Sequence, residues 1–154
     1  MSLTIGKKAP NFKISIDKDS EIKLSDLLGK NVIIYFYPKD DTPGCTKEAC
    51  DFRDKLPNFK KTNAIIIGIS KDSLSKHEKF KTKHKLNFML GSDENNNVCE
   101  KYEVWKEKSM YGRKYMGIER STFLIDKTGI LRNEWRKVKV PDHVENVLLA
   151  IKEL

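Results

Sequence analysis

No stretch of this sequence stays apolar for longer than a β-strand; the longest such runs are VIIYFY (32–37) and AIIIGI (64–69). Both fall far short of the ~20 residues that a helix needs to span a bilayer, so no membrane association is expected. The first twelve residues, MSLTIGKKAPNF, likewise hold no apolar stretch of the size of a signal-peptide core, and a cytoplasmic location is the expectation. Cysteine is scarce, three in 154 residues. In a reducing compartment so few thiols serve as metal ligands, reactive groups or buried fillers, not as a disulfide framework. Linkers rich in proline, glycine or serine, internal repeats and low-complexity tracts are all missing. The chain therefore reads as one domain over residues 1–154, long enough to bury a core without staples.

Acidic residues are outnumbered, 22 Asp+Glu against 30 Lys+Arg, for a formal charge of +8. The lysines of KDSLSKHEKFKTKHK (71–85) and YEVWKEK (102–108) alternate with acids and apolar residues. No aromatic-interleaved basic cluster and no zinc-finger spacing accompany them, so the excess charge reads as a solvated surface and no nucleic-acid partner is expected. His77, His84 and His143 have no i, i+4 pairing with one another or with a cysteine, and no metal site is expected from them.

What is present is a succession of strands and helices. Phe12, Ile14 and Ile16 alternate with polar residues, KDSE turns the chain and EIKL returns it, which predicts an N-terminal hairpin. Ser25 is suited to cap a short turn, SDLLGK, closed by Gly29. NVIIYFY (31–37) and AIIIGIS (64–70) are continuously apolar, the pattern of strands buried on both faces. Between them a helix is expected from Gly44 to about Leu56, restarted or kinked at Pro57. Further helices are expected over 72–86 and over 94–105, the latter bearing Cys99, with a short strand at 88–93 between them. STFLIDKTGILRNEWRKV (121–138) reads as a hairpin around Lys127-Thr128-Gly129. Val144, Val147, Leu148 and Ile151 then mark an amphipathic closing helix, with Pro141 suited to its start. An order of hairpin and then β-α-β-α-β-α-β-β-α requires a layered α/β domain with a mixed sheet. In open sheets of this kind, function gathers where central strands run into helix N-termini.

One such place is TPGCTKEAC (42–50), which holds two of the three cysteines. Cys45 falls in the first turn of the expected helix, where unpaired amides and the positive end of the macrodipole favour a thiolate. Thr42 is suited to cap that helix, and Pro43 to occupy its first position. Cys50 lies five residues on, roughly 8.6 Å away between Cα atoms on an ideal helix. A disulfide spans about 4.4–6.8 Å, so this pair bridges only after local unwinding. The spacing suits neither a resting disulfide nor tetrahedral zinc. It suits two thiols acting in sequence: Cys45 attacks a peroxide and becomes a sulfenic acid, with which Cys50 condenses.

The stretch YPKDDTPGCTKEACDFRD (37–54) resembles the peroxiredoxins, and within them the peroxiredoxin Q or bacterioferritin comigratory protein group. The family signature PxxxTxxC appears as Pro38, Thr42 and Cys45, and a family arginine matches Arg120 in GIERSTFLID. The likeness extends from APNF through VWKEKSMYG to the final helix. It implies a thioredoxin-like fold with an N-terminal β-hairpin extension, no metal or organic cofactor, and thiol-dependent reduction of hydrogen peroxide and organic hydroperoxides in antioxidant defence. By the same resemblance Cys45 is the peroxidatic cysteine, Thr42 hydrogen-bonds thiolate and peroxide, Pro43 shields the thiolate, and Arg120 supplies positive charge. The amides of Gly44 and Cys45 help hold the oxygens. Cys50 matches the resolving position, which implies an intrachain Cys45–Cys50 disulfide reduced by thioredoxin or a relative, in a monomer. Cys99 remains an alternative resolver. The competing reading is a thioredoxin-like disulfide oxidoreductase without peroxidase activity, an enzyme class that places CxxC at the helix start.

Overall fold

The computed structural model describes residues 3–154. Strands β1 (Lys13–Asp17) and β2 (Ser20–Lys23) form the N-terminal hairpin, and a 3-10 turn over Leu24–Leu27 follows. Then come β3 (Asn31–Phe36), α1 (Pro43–Lys60), β4 (Ala64–Ser70), α2 (Leu74–His84), β5 (Met89–Ser92) and α3 (Val98–Lys101). The chain ends with β6 (Trp105–Met110), β7 (Arg113–Ile118), β8 (Ser121–Ile125), β9 (Leu131–Trp135) and α4 (His143–Lys152). Seven strands make one sheet in the order β2-β1-β5-β4-β3-β8-β9, and β6 and β7 form a separate ribbon. β3, β4 and β5 run parallel, while β8 lies antiparallel to β3 and β9 to β8. This is the mixed α/β sheet expected from the order of elements.

Both long apolar runs are buried on two faces, and the period of two sorts their side chains. Ile33, Tyr35 and Tyr37 join a core with Cys45, Ala49, Phe52, Leu56 and Phe59 of α1, Phe80 of α2, and Val144, Val147, Leu148 and Ile151 of α4. Val32, Ile34 and Phe36 face the other way, into a core with Ile67, Ile69, Phe123, Cys99, Tyr102 and the N-terminal Phe12 and Ile14. Two of the three cysteines, Cys45 and Cys99, therefore sit on opposite faces of the sheet.

Several local expectations are revised. Ser25 does not cap the turn after β2; Lys23 holds the cap position, its N–H donating to Asp26 at 3.2 Å, and the Ser25 amide donates to Asn11 Oδ1. α1 neither stops nor restarts at Pro57 but runs through it to Lys60. Proline removes the amide that would bond Arg53 O, and Asn87 Nδ2 reaches that carbonyl instead, at 3.4 Å. Burial of Leu56 and Phe59 on either side of Pro57 keeps the helix in place. The helix expected over 94–105 shrinks to four residues. The Asp93 carboxylate accepts the amides of Val98 and Cys99, which fixes the start of α3, and Glu103 at φ 57° ends the segment. β6 and β7 were not anticipated. Their two-residue turn, Tyr111 at φ 52° and Gly112 at φ 78°, has the left-handed pair that matches strand twist in tight hairpins. α4 starts at His143 after Asp142 at φ 64°, so Pro141 lies ahead of its first turn.

Tyr35 is fully buried under α1 and stacks on Phe52 with centroids 4.6 Å apart. Gly68 of β4 makes room for it, since a Cβ there would lie 2.8 Å from Tyr35 Cζ and Oη and 2.9 Å from Leu90 Cδ2. Gly68→Ala is expected to lower unfolding free energy by about 1–3 kcal/mol, the usual cost of overpacking. An unchanged urea midpoint would show that the Tyr35 ring has space to move.

Candidate active site

The carboxyl end of β3 leads into the loop Pro38–Thr42, with Asp41 at φ 59°, and straight into α1 with Pro43 at its first position. Thr46 N–H bonds Thr42 O at 2.8 Å. Pro43 has no amide, and no side chain caps the helix, so the N–H groups of Gly44 and Cys45 point out of its first turn as donors. The expectation that the Thr42 side chain caps α1 is overturned: its hydroxyl donates to Lys39 O at 2.9 Å. A hydroxyl carries one proton, and here the loop carbonyl has it.

Cys45 lies almost entirely under the surface, 1% exposed. Its partner comes from the connection into β8, the strand next to β3, whose first residue Ser121 pairs with Phe36 at the end of β3. Arg120, between the end of β7 and the start of β8, donates through Nη2 to Sγ at 3.2 Å and through Nη1 to Glu48 Oε1 at 2.7 Å. Gly44 permits this approach, because a Cβ at that position would stand 3.2 Å from Arg120 Nη2. The structure thus brings Thr42, Pro43, Gly44, Cys45 and Arg120 to one end of α1. Cys50 lies half-buried on the same helix, and all three cysteines are free thiols. Cys99 stays behind the sheet, and burial first, then the Asp93 carboxylate, push its thiol far above the usual range. Nothing in the geometry favours it as a partner for Cys45.

Glu48 is the site residue that the sequence reading passed over. It is fully buried, one oxygen on Arg120 and the other without a partner, and burial outweighs Arg120 to push its carboxyl up to about 7. The neighbouring Tyr35 hydroxyl is also buried without a partner. A signal did exist: Glu48 sits one turn from Cys45, inside the apolar stripe 45, 49, 52, 56 and 59, where a charged residue has no packing reason to be.

A second buried polar cluster lies beneath the loop. His77 Nε2 faces the Gly91 carbonyl at 2.9 Å and so donates to it, while Nδ1 stands 2.6 Å from Asp40 Oδ2. Tyr37 donates to Asp40 Oδ1 at 2.6 Å, and Asp72 Oδ2 accepts the Asp40 amide and the Ser70 hydroxyl. Asp40, Asp72 and His77 are the metal-ligand types that converge among the described residues. With both ring nitrogens of His77 already engaged, the cluster serves as a tie that fastens the loop before Cys45 to α2 and β4. That tie was not foreseen from the isolated histidine.

Residues 5–134 match the AhpC/TSA family. The chain is 54% identical to peroxiredoxin Bcp of Bacillus subtilis over 154 residues, covering 100% of this chain and 98% of the relative. It is 42% identical to peroxiredoxin Bcp of Escherichia coli over 151 residues, covering 98% and 97%. Among solved structures, a bacterioferritin comigratory protein of Xanthomonas campestris, described for its alkyl peroxide reduction activity, superposes with a TM-score of 0.88 at 44% identity, covering 92% and 90%. A mutant PrxQ of Xylella fastidiosa gives 0.92 at 39% identity, covering 99% and 98%. The fold is the thioredoxin-like one expected.

The Glu48 carboxyl is raised on folding, so the fold prefers it protonated. Its contribution to stability is complete below the ordinary glutamate value of 4.5 and is lost as pH rises through about 7. Urea unfolding of wild type and Glu48→Gln between pH 5 and 8.5 is therefore expected to show the gap moving in favour of the glutamine variant as pH rises, by on the order of 3 kcal/mol. A gap that moves the other way would mean that the ion pair with Arg120 outweighs burial.

Proposed function

We infer a peroxide-reducing cycle for this chain, which belongs to the AhpC/TSA family and is a thiol-dependent peroxidase of the peroxiredoxin kind, from a single contact: Arg120 Nη2 at 3.2 Å from Cys45 Sγ, in the first turn of α1. Guanidinium, helix dipole and two free amides all favour negative charge at one sulfur. In the first step the Cys45 thiolate attacks the outer oxygen of a hydroperoxide. An S–O bond forms, the O–O bond breaks, and its electron pair leaves on the alkoxide, which becomes the alcohol on taking a proton. Arg120 cannot lose its proton and so remains a donor to the developing charge throughout. The amides of Gly44 and Cys45 hold the peroxide oxygens. Thr42, its own proton on Lys39 O, accepts from the peroxide O–H, and Pro43 keeps water from the sulfur.

In the second step Cys50 condenses with the Cys45 sulfenic acid and releases water. α1 must open first. Its continuity through Pro57 rules out a helix already short enough to fray, so ease of opening comes from the segment itself. Between the two cysteines only Glu48 and Ala49 are buried; the bulky anchors Phe52, Leu56 and Phe59 all lie beyond Cys50. Unwinding residues 43–50 leaves those anchors in place and returns Glu48 to water, which offsets part of the cost. The disulfide is then reduced by thioredoxin or a related dithiol protein. This reading makes the protein a cytoplasmic monomer in antioxidant defence.

Cys45→Ser is expected to abolish peroxide reduction. Cys50→Ser is expected to keep the first oxidation and lose turnover with thioredoxin. Intact mass after one equivalent of hydrogen peroxide reads both steps: a loss of about 2 Da mapping to Cys45 and Cys50 in wild type, and a gain of about 16 Da in Cys50→Ser. Normal cycling of Cys50→Ser would refute the resolving role.

A further inference from the structure

We propose that Lys83 and His84, in the last turn of α2, are positioning residues for the second step. They latch the segment carrying Cys45 and Cys50 in its wound form and so set the rate at which the disulfide closes. The proposal rests on Cys50 being the resolving thiol. Asp41 stands two residues before α1, and its carboxylate meets Lys83 Nζ on one oxygen at 2.8 Å and His84 Nε2 on the other at 3.0 Å. Past Cys50, Arg53 Nη1 donates to the backbone oxygen of the same His84 at 2.7 Å. The two cysteines thus lie between two attachments to one residue of a neighbouring helix.

The end of α2 explains both attachments. Lys85 leaves the helix at φ 53°, and its amide, like that of Leu86, returns to Lys81 O. The His84 carbonyl is therefore one of the orphans of the helix end, and Arg53 satisfies it. The imidazole packs edge-on against the buried Phe80 ring, with centroids 5.2 Å apart. Asp41 has φ 59°, a left-handed backbone that aspartate tolerates and that carries the chain from the Asp40 tie into Pro43. That buried tie ends one residue earlier, on His77 and Tyr37. The Asp41 carboxylate is thus the last side chain before the helix to fasten the loop to another element.

Unwinding residues 43–50 with both ends pinned confines the open chain to conformations that meet the same two points. Releasing Asp41 widens that set and lets its backbone leave the left-handed region, while the wound helix gains little. The latch therefore favours the wound form, and closure slows in proportion to the open population it removes. The covalent step is untouched: the S–S bond forms, the S–O bond of the sulfenic acid breaks, and its hydroxyl leaves as water with the Cys50 proton. Among the described residues, neither Lys83 nor His84 bonds to Cys45, Thr42 or Arg120, so the first step does not depend on them.

The test separates the two steps in a single turnover. Reduced protein is mixed with one equivalent of hydrogen peroxide, quenched in acid at intervals and read by intact mass. Appearance of the sulfenic acid reports the first step, and its conversion to the disulfide reports closure. The double variant Lys83→Ala/His84→Ala removes both partners of Asp41 but keeps the backbone oxygen that holds Arg53. It is expected to close about 3- to 10-fold faster than wild type, the size of two partly exposed ion-pair contacts, with the first step within about twofold. Lys83→Ala alone is expected to fall between. Sulfinic acid formed in excess peroxide, which competes with closure, is expected to fall in step. Leu131→Val, in the core on the opposite face of the sheet, controls for general loss of stability and is expected to leave closure unchanged. Closure no faster than wild type in the double variant, with the disulfide still mapping to Cys45 and Cys50, would overturn the latch alone. Equal acceleration in Leu131→Val, or a parallel change in the first step, would also sink it. A disulfide that still forms on Cys45 in Cys50→Ser would remove the resolving role, and the latch with it.

Discussion

One guanidinium is shared between a thiol and a carboxyl at the start of α1, and much of the architecture exists to make that sharing feasible. Arg120 enters from the strand connection on the far side of β3, and meets a thiol and a carboxyl one helical turn apart. Neither acceptor holds it alone. A buried Arg–Glu pair is weak evidence for stability, because removing two charges from water costs several kcal/mol before their attraction is counted. Here the cost shows directly in the Glu48 carboxyl, raised to about 7 despite its partner. What the pair secures is position: the planar fork fixes one nitrogen on Glu48, so that the other is aimed at Cys45 Sγ.

The sheet makes that aim reproducible. β3 hydrogen-bonds β4 on one side and β8 on the other, and β8 starts at the residue after Arg120. The loop after β3 is held by the buried Asp40, Tyr37 and His77 tie, and the connection before β8 by the bonds from Glu119 N to Val104 O and from Val138 N to Arg120 O. Both halves of the site are thus fastened to the same central strands, while the two-faced packing keeps Cys99 in the opposite core.

The sequence makes some of this legible and hides the rest, for identifiable reasons. NVIIYFY and AIIIGIS announce buried central strands because every position is apolar, and TPGC announces a reactive helix start because threonine, proline and cysteine each have a local role there. What escapes is whatever depends on distant partners. Glu48 looks like any surface glutamate until Arg120, 72 residues away, is brought to it. Pro57 reads as a helix breaker because Asn87, which bonds the orphaned Arg53 carbonyl, belongs to another segment. The Thr42 hydroxyl could serve either the helix amides or Lys39 O, and only loop geometry decides. The β6 and β7 ribbon is polar and mostly exposed, so it lacks the alternation that marks a strand against a core.

Cys45 and Cys50 share one helix, and this has a kinetic corollary. Two groups tethered by four intervening residues meet by a unimolecular event, whose rate does not change when the protein is diluted. A scheme in which the second thiol came from another subunit would slow as the assembly dissociated. On the proposed cycle, with Cys50 as the resolving thiol, the lifetime of the oxidised sulfur is set by how often one end of α1 unwinds, a property of sequence and temperature, independent of how many copies the cell contains.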